Sequence, residues 1–374
     1  MKVTGVEVVE LRVPGWEGMT FDGSYDNCVV LLHTDAGLHG IAEVDSVPAV
    51  IRAIIEAPRS HTHAMGLASV LVGADPSDVE GLWGKMYDAT SYYGRRGAVI
   101  HAISAIDIAL WDLRGKAENT PVASLLGHVQ RDRVLAYDTV YPLGETPDEV
   151  RRNIDRGLAL GLKAIKIVAD PFWRDDVDQA ALLIRTAREH VGPDIRLMVD
   201  AATAWSEADQ GLPLMPLFRD NDFAWVEAPL PLDDLEGHAR FQGFGVPIGD
   251  LGLTTRFEYA QMFEAGRIDI AQPDVTMAGG LTELMRISAL AKSLGKRLVT
   301  HGYKSNITIA ANLAFLSQHW AEEPCEYSTS QSPLRWELTK ESFPIGGDGK
   351  VEVPSRPGLG VTLVPETIAR YRVS

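Results

Sequence analysis

From residue 134 onward, short apolar runs alternate with helical stretches, and the alternation repeats eight times. The runs are VLAYDTV, KAIKIV, IRLMVDA, FAWVEAP, VPIGD, IDIAQPD, RLVTH and PCEYS. Most are separated by segments of helical period, such as DQAALLIRTAREHV and GLTELMRISALAKSLG. Eight strand–helix units in about 200 residues are what a closed parallel barrel requires. No other feature narrows the fold so far.

The first 128 residues have a different texture. VTGVEVVELRV and CVVLLHTDAGLHGIAEV read as antiparallel strands, the second with a turn around Asp35-Ala36-Gly37. A helical stretch containing AVIHAISAIDIALWDLRGKAENTPVASLLG follows, and Gly127 closes it. The spacing predicts an N-terminal α+β unit over 1–128, a barrel over 129–343 and a C-terminal segment over 344–374. The strand-like tail GKVEVPSRPGLGVTL is expected to pair back onto the N-terminal unit.

In such a barrel, chemistry is placed at the C-terminal ends of the strands. Those ends carry Lys166, Asp200, Glu227, Asp250, Asp274, His301 and Glu326, spaced 23 to 34 residues apart. Lys166 lies in GLKAIKIVAD, where strand alternation gives it the same face as Ala164 and Val168. A buried ammonium there needs an anionic partner. Asp200, Glu227 and Asp250 end the third, fourth and fifth strands, which are neighbours. Three converging carboxylates repel unless a hard cation neutralises them, and oxygen-only ligands suit Mg²⁺. The plainer alternative makes each acid a helix cap or an ion-pair partner. Asp274 and His301 end the sixth and seventh strands. A carboxylate bonded to an imidazole fixes its tautomer and raises its basicity, which makes a general base.

Other features are weaker. His61-Thr62-His63 has metal-like spacing but reads as surface, and GGDGK at 346–350 lacks the Ser or Thr of a phosphate loop and reads as a turn. Trp173 and Trp205 follow strand ends and either line a pocket or pack. Lys304 is a candidate for a distal substrate carboxylate, against the plainer reading of a solvated loop lysine. The formal net charge of −16 argues against a nucleic-acid partner, which wants a basic stripe. Cys28 and Cys325 form no disulfide framework and have no zinc spacing. With no signal-peptide pattern and no long apolar run, the expectation is a cytoplasmic protein without membrane partners. A homo-oligomer is expected as a separate matter.

The motifs AISAIDIALWDLRGKAENTPVASLLG, MVDAATAW, WVEAP and QPDVTMAGGLTE, with the Thr300-His301 pair, resemble the mandelate racemase-like group of the enolase superfamily, in the usual order. The resemblance spans essentially the whole chain. It implies a modified TIM (β/α) barrel with an N-terminal α+β capping domain, completed by the C-terminal segment. It implies Mg²⁺ held by Asp200, Glu227 and Asp250, and abstraction of a proton alpha to a carboxylate, with Asp274 and His301 as the base dyad. Glu326 resembles the acid that hydrogen-bonds the developing enediolate. Three positions depart from the pattern. Val168 stands where the family often has a second lysine base, Ala202 stands where Asn is common, and the fifth strand has Asp250 where Glu is more usual, in a stretch that looks short.

A racemase needs a base on each face of the alpha carbon, and Val168 removes one. A dehydratase manages with His301 alone. The expected activity is therefore dehydration of an aldonic or aldaric acid to a 2-keto-3-deoxy acid. Alternatives are a sugar-acid lactone cycloisomerase, a 2-hydroxy-acid racemase or epimerase, and a metal- or ligand-binding homologue without catalysis. Specificity is expected from WEGMTFDGSYDN at 16–27 and from the region 60–66, both closing over the barrel mouth.

Overall fold

The computed structural model describes residues 1–15, 23–202, 204–318 and 323–373. Strands β1 (Val3–Arg12), β2 (Asp26–Thr34) and β3 (His39–Val44) form an antiparallel sheet in that order. The turn between β2 and β3 runs through Gly37 at φ 73°, a conformation that costs glycine nothing. The helix Ala98–Ala117 packs on β3 so closely that a Cβ on Gly40 would run into the Ala109 carbonyl.

Eight parallel segments close the barrel: β4 (Arg133–Val140), β5 (Ala164–Val168), β6 (Arg196–Asp200), β7 (Phe223–Glu227), the stretch 248–249, β8 (Ile270–Ala271), β9 (Arg297–Leu298) and β10 (Cys325–Glu326). The ring closes where β10 pairs in parallel with β4, Glu326 opposite Tyr137. The fifth position is only a pair of bridges, Val226 to Ile248 and Gly249 to Ile270. The fold is thus a (β/α) barrel with an N-terminal α+β capping unit, as expected.

The cap docks through buried polar bonds. Asp107 accepts from Thr282 N, Trp83 Nε1 donates to Gly279 O, and Trp111 Nε1 donates to Thr282 Oγ1, at 2.8 to 2.9 Å. The tail differs from expectation in its strand. β11 (Lys350–Glu352) pairs antiparallel with β4 of the barrel, not with the N-terminal sheet. Residues beyond it do reach the cap: buried Asp112 accepts from Leu359 N and from Ile41 N, both at 2.9 Å, and Arg372 bridges to Leu11. One carboxylate thus joins helix, sheet and tail. Among the described residues no helix is long and apolar enough to cross a membrane.

Candidate active site

Ala164, Met198, Trp225, Ile270, Val299 and Tyr137 form a buried cluster inside the barrel. A strand returns to the same face every second residue. Two positions further on, the inward layer turns polar: Lys166, Asp200, Glu227, Gln272, His301 and Thr139. One more step along β5 brings Val168 to the rim. Above this layer lies a cavity of about 230 Å³, lined by Asp200, His301, Glu326, Thr139, Val168, Leu251, Leu253, Tyr141, Met277 and Tyr303 from the barrel and by Gly23 and Asp45 from the cap.

Lys166 is wholly buried. Its Nζ donates to Glu227 Oε1 at 2.6 Å and lies 3.1 Å from Glu326 Oε1 and 3.5 Å from Asp200 Oδ2. Burial works against the ammonium, but the three carboxylates outweigh it and raise the lysine pKa above its ordinary value. The countercharge that the buried lysine required is therefore present three times over. Glu326 responds in kind. Burial would raise it, yet Lys166, His301 and hydrogen bonds from Thr139 Oγ1 and Gly302 N hold it down to about 2. For Glu227, burial outweighs Lys166 and pushes the carboxyl up to about 7. Its second oxygen accepts from Gln272 Nε2 and from Trp225 Nε1.

His301 Nδ1 is 2.7 Å from Asp274 Oδ2, and Nε2 is 3.9 Å from Glu326 Oε2. Asp274 is oriented in turn by Thr276, whose N and Oγ1 both donate to Oδ1. Burial alone would lower the imidazole, but Glu326 and Asp274 overcome it and raise His301 to about 10.

Asp250 does not join Asp200 and Glu227. Its Oδ2 accepts from Tyr259 OH at 2.8 Å and Gly252 N at 3.0 Å, and its Oδ1 accepts from Gln272 N at 2.7 Å. The reason is the phase of the fifth strand. Gly249 faces inward against Gln272, so closely that a Cβ would collide with it. Asp250 therefore turns outward to Tyr259, on the covering helix Arg256–Glu264, and Leu251 faces the cavity. Among the described residues no three His, Cys, Asp or Glu side chains are arranged to hold a metal ion. The expected magnesium trio of Asp200, Glu227 and Asp250 is corrected accordingly: this donor set does not fit it.

Lys304 is corrected as well. It is 3% exposed, its Nζ lies 3.1 Å from Asp45 Oδ1, and it donates to the carbonyls of Gly23 and Asp26. It ties the cap to the seventh barrel unit. Residues 16–22 of the expected specificity loop lie outside the described residues. The stretch 60–66 makes a small turn, His61 bridging to Ala64, and lines no part of the cavity. His61 and His63 are exposed beside Tyr92, and Trp173 and Trp205 are fully buried packing residues. Thr139 and Gln272, which the charged pattern did not single out, both carry hydrogen bonds to the central carboxylates. Their signal was a polar side chain two residues beyond an inward apolar one.

Residues 4–127 match the model of the mandelate racemase / muconate lactonizing enzyme N-terminal domain, and residues 148–367 match the enolase C-terminal domain-like model. Over 324 residues the chain is 35% identical to the L-rhamnonate dehydratase of Saccharopolyspora erythraea, with 81% of this chain and 77% of that protein covered. It is 32% identical over 317 residues to the D-galactarolactone cycloisomerase of Agrobacterium fabrum, covering 81% and 82%. The crystal structure of the 3,6-anhydro-D-galactonate cycloisomerase from Zobellia galactanivorans matches over 100% of both chains, with a TM-score of 0.88 and 29% identity.

Proposed function

Because the chain belongs to the enolase superfamily, in its mandelate racemase-like group, we propose that it is a hydro-lyase that dehydrates a sugar acid. The observation that carries this reading is the His301–Asp274 dyad. It is a single base whose free nitrogen faces the cavity, with Val168 where a second base would stand.

Neutral His301 Nε2 takes the proton from the carbon next to the substrate carboxylate. Negative charge then grows on that carboxylate, and Lys166 is the buried positive charge beneath it. The electron pair forms a carbon–carbon double bond as the beta carbon–oxygen bond breaks. The imidazolium returns its proton to the leaving hydroxyl on the same face, water departs, and the enol becomes a 2-keto-3-deoxy acid. Asp274 holds the imidazole in one tautomer throughout. No step is routed through magnesium, because Asp250 faces away from Asp200 and Glu227.

Incubation with a panel of aldonic and aldaric acids tests the reading. Formation of 2-keto-3-deoxy acids supports it, and no turnover across the panel contradicts it. A cycloisomerase is the second reading, supported by the likeness to the galactarolactone and anhydrogalactonate enzymes. The same base could expel an oxygen tethered to the substrate, so the product would keep the substrate's mass. Mass spectrometry separates the two, since only dehydration loses water.

A further inference from the structure

We infer that this chain holds no resident divalent cation, and that the Lys166 ammonium takes its place as the cation between Asp200, Glu227 and Glu326. Three observations carry the inference. The fifth strand presents Gly249 and Leu251 to the interior, so the wall beside Asp200 and Glu227 offers an isobutyl group in place of a third carboxylate. Asp250, the one acid on that strand, already accepts three hydrogen bonds on its outward side. Lys166 Nζ stands between the two remaining carboxylates, with a direct bond to Glu227.

A dication brought to this pair would meet a buried ammonium already in contact with both of its ligands. Of the three carboxylates at that ammonium, Glu326 already accepts from Thr139 Oγ1 and Gly302 N, which leaves Asp200 and Glu227 as the anionic side chains a dication could draw on. Mg²⁺ tolerates so few protein carboxylates where a ligand such as a phosphate supplies further oxygens. The protein alone gives it no such partner. The consequence for catalysis, that charge on the enediolate is met by Lys166, rests on the sugar-acid reading. The metal-binding claim does not.

The test uses the full chain, stripped with EDTA and then titrated with Mg²⁺ alone. Thermal unfolding and the metal content after gel filtration are the readouts. The expected result is an unchanged melting temperature and substoichiometric metal. A saturable rise in melting temperature, or one ion per chain retained, overturns the inference. Leu251→Glu, which adds the absent carboxylate, is expected to gain a Mg²⁺-dependent rise. A folded Leu251→Glu protein without that gain overturns the assignment of position 251 as the vacant ligand position. With an active substrate in hand, alpha-proton exchange is expected to persist in EDTA, and a loss reversed by Mg²⁺ overturns the catalytic consequence. The binding readouts need no substrate, so failure of the sugar-acid reading is distinguishable from failure of this one.

Discussion

His301 Nδ1 and Asp274 Oδ2 are 2.7 Å apart, which leaves Nε2 as the one imidazole nitrogen free to face the cavity. A carboxylate in that position both fixes the tautomer and stabilises the imidazolium. Asp274→Asn keeps the shape and removes the charge. It is expected to lower kcat by roughly 10²- to 10⁴-fold, the range for loss of a competent general base. Steady-state kinetics on an active sugar acid measure it, and an unchanged kcat would remove Asp274 from the mechanism.

The raised His301 value sets opposite pH trends for activity and stability. Only the neutral imidazole accepts a proton, so kcat/KM should climb roughly tenfold per pH unit below its pKa and level off near pH 10. In Asp274→Asn the climb should move to lower pH. The stabilising contribution runs the other way. The folded value lies above the ordinary 6.5, so this contribution is complete below pH 6.5 and is lost as pH rises through about 10. Glu326 acts at the acid end: its depressed value makes a contribution present above about pH 4.5 and lost as pH falls through about 2. Denaturant midpoints across pH and kcat/KM profiles check both signs.

Lys166→Met should be among the most destabilising single changes. It leaves Glu227, Glu326 and Asp200 buried without their shared cation. Removing one partner of a buried ion pair costs about 3–5 kcal/mol. Urea unfolding gives the number, and a loss below about 1 kcal/mol, the range of an exposed pair, would contradict the central place assigned to this lysine.

Lys304→Met should loosen the cap rather than the base. The change strips two carbonyls and Asp45 of their donor, at a cost of about 1–3 kcal/mol. Amide exchange over residues 23–26 should rise and KM should increase, while the pH profile stays in place. A displaced pH profile with unchanged exchange would assign Lys304 to the chemistry instead.

Much of this site was legible because the barrel repeats one rule. On β5, β6 and β7 an inward apolar residue is followed two positions later by Lys166, Asp200 or Glu227, and His301 follows Val299 in the same way. The fifth strand broke the reading because it is too short to show its own phase. Only Ile248 and Gly249 bridge to neighbours, and the inward glycine carries no side chain to mark the face. A shift of one residue moved Asp250 from the interior to the Tyr259 side. Lys304 misled for another reason: its partners are two backbone carbonyls and Asp45, all in the distant N-terminal cap, and no residue type announces that pairing. The tail misled through brevity, since three residues of β11 carry no sign of which sheet they join.

The most direct test of the account is proton exchange at the alpha carbon, followed by NMR in D₂O with a sugar acid that the wild-type protein turns over. Wild type is expected to release the alpha proton and form the 2-keto-3-deoxy product, and His301→Asn to do neither while remaining folded. Undiminished exchange in His301→Asn would contradict the assignment of His301 as the base.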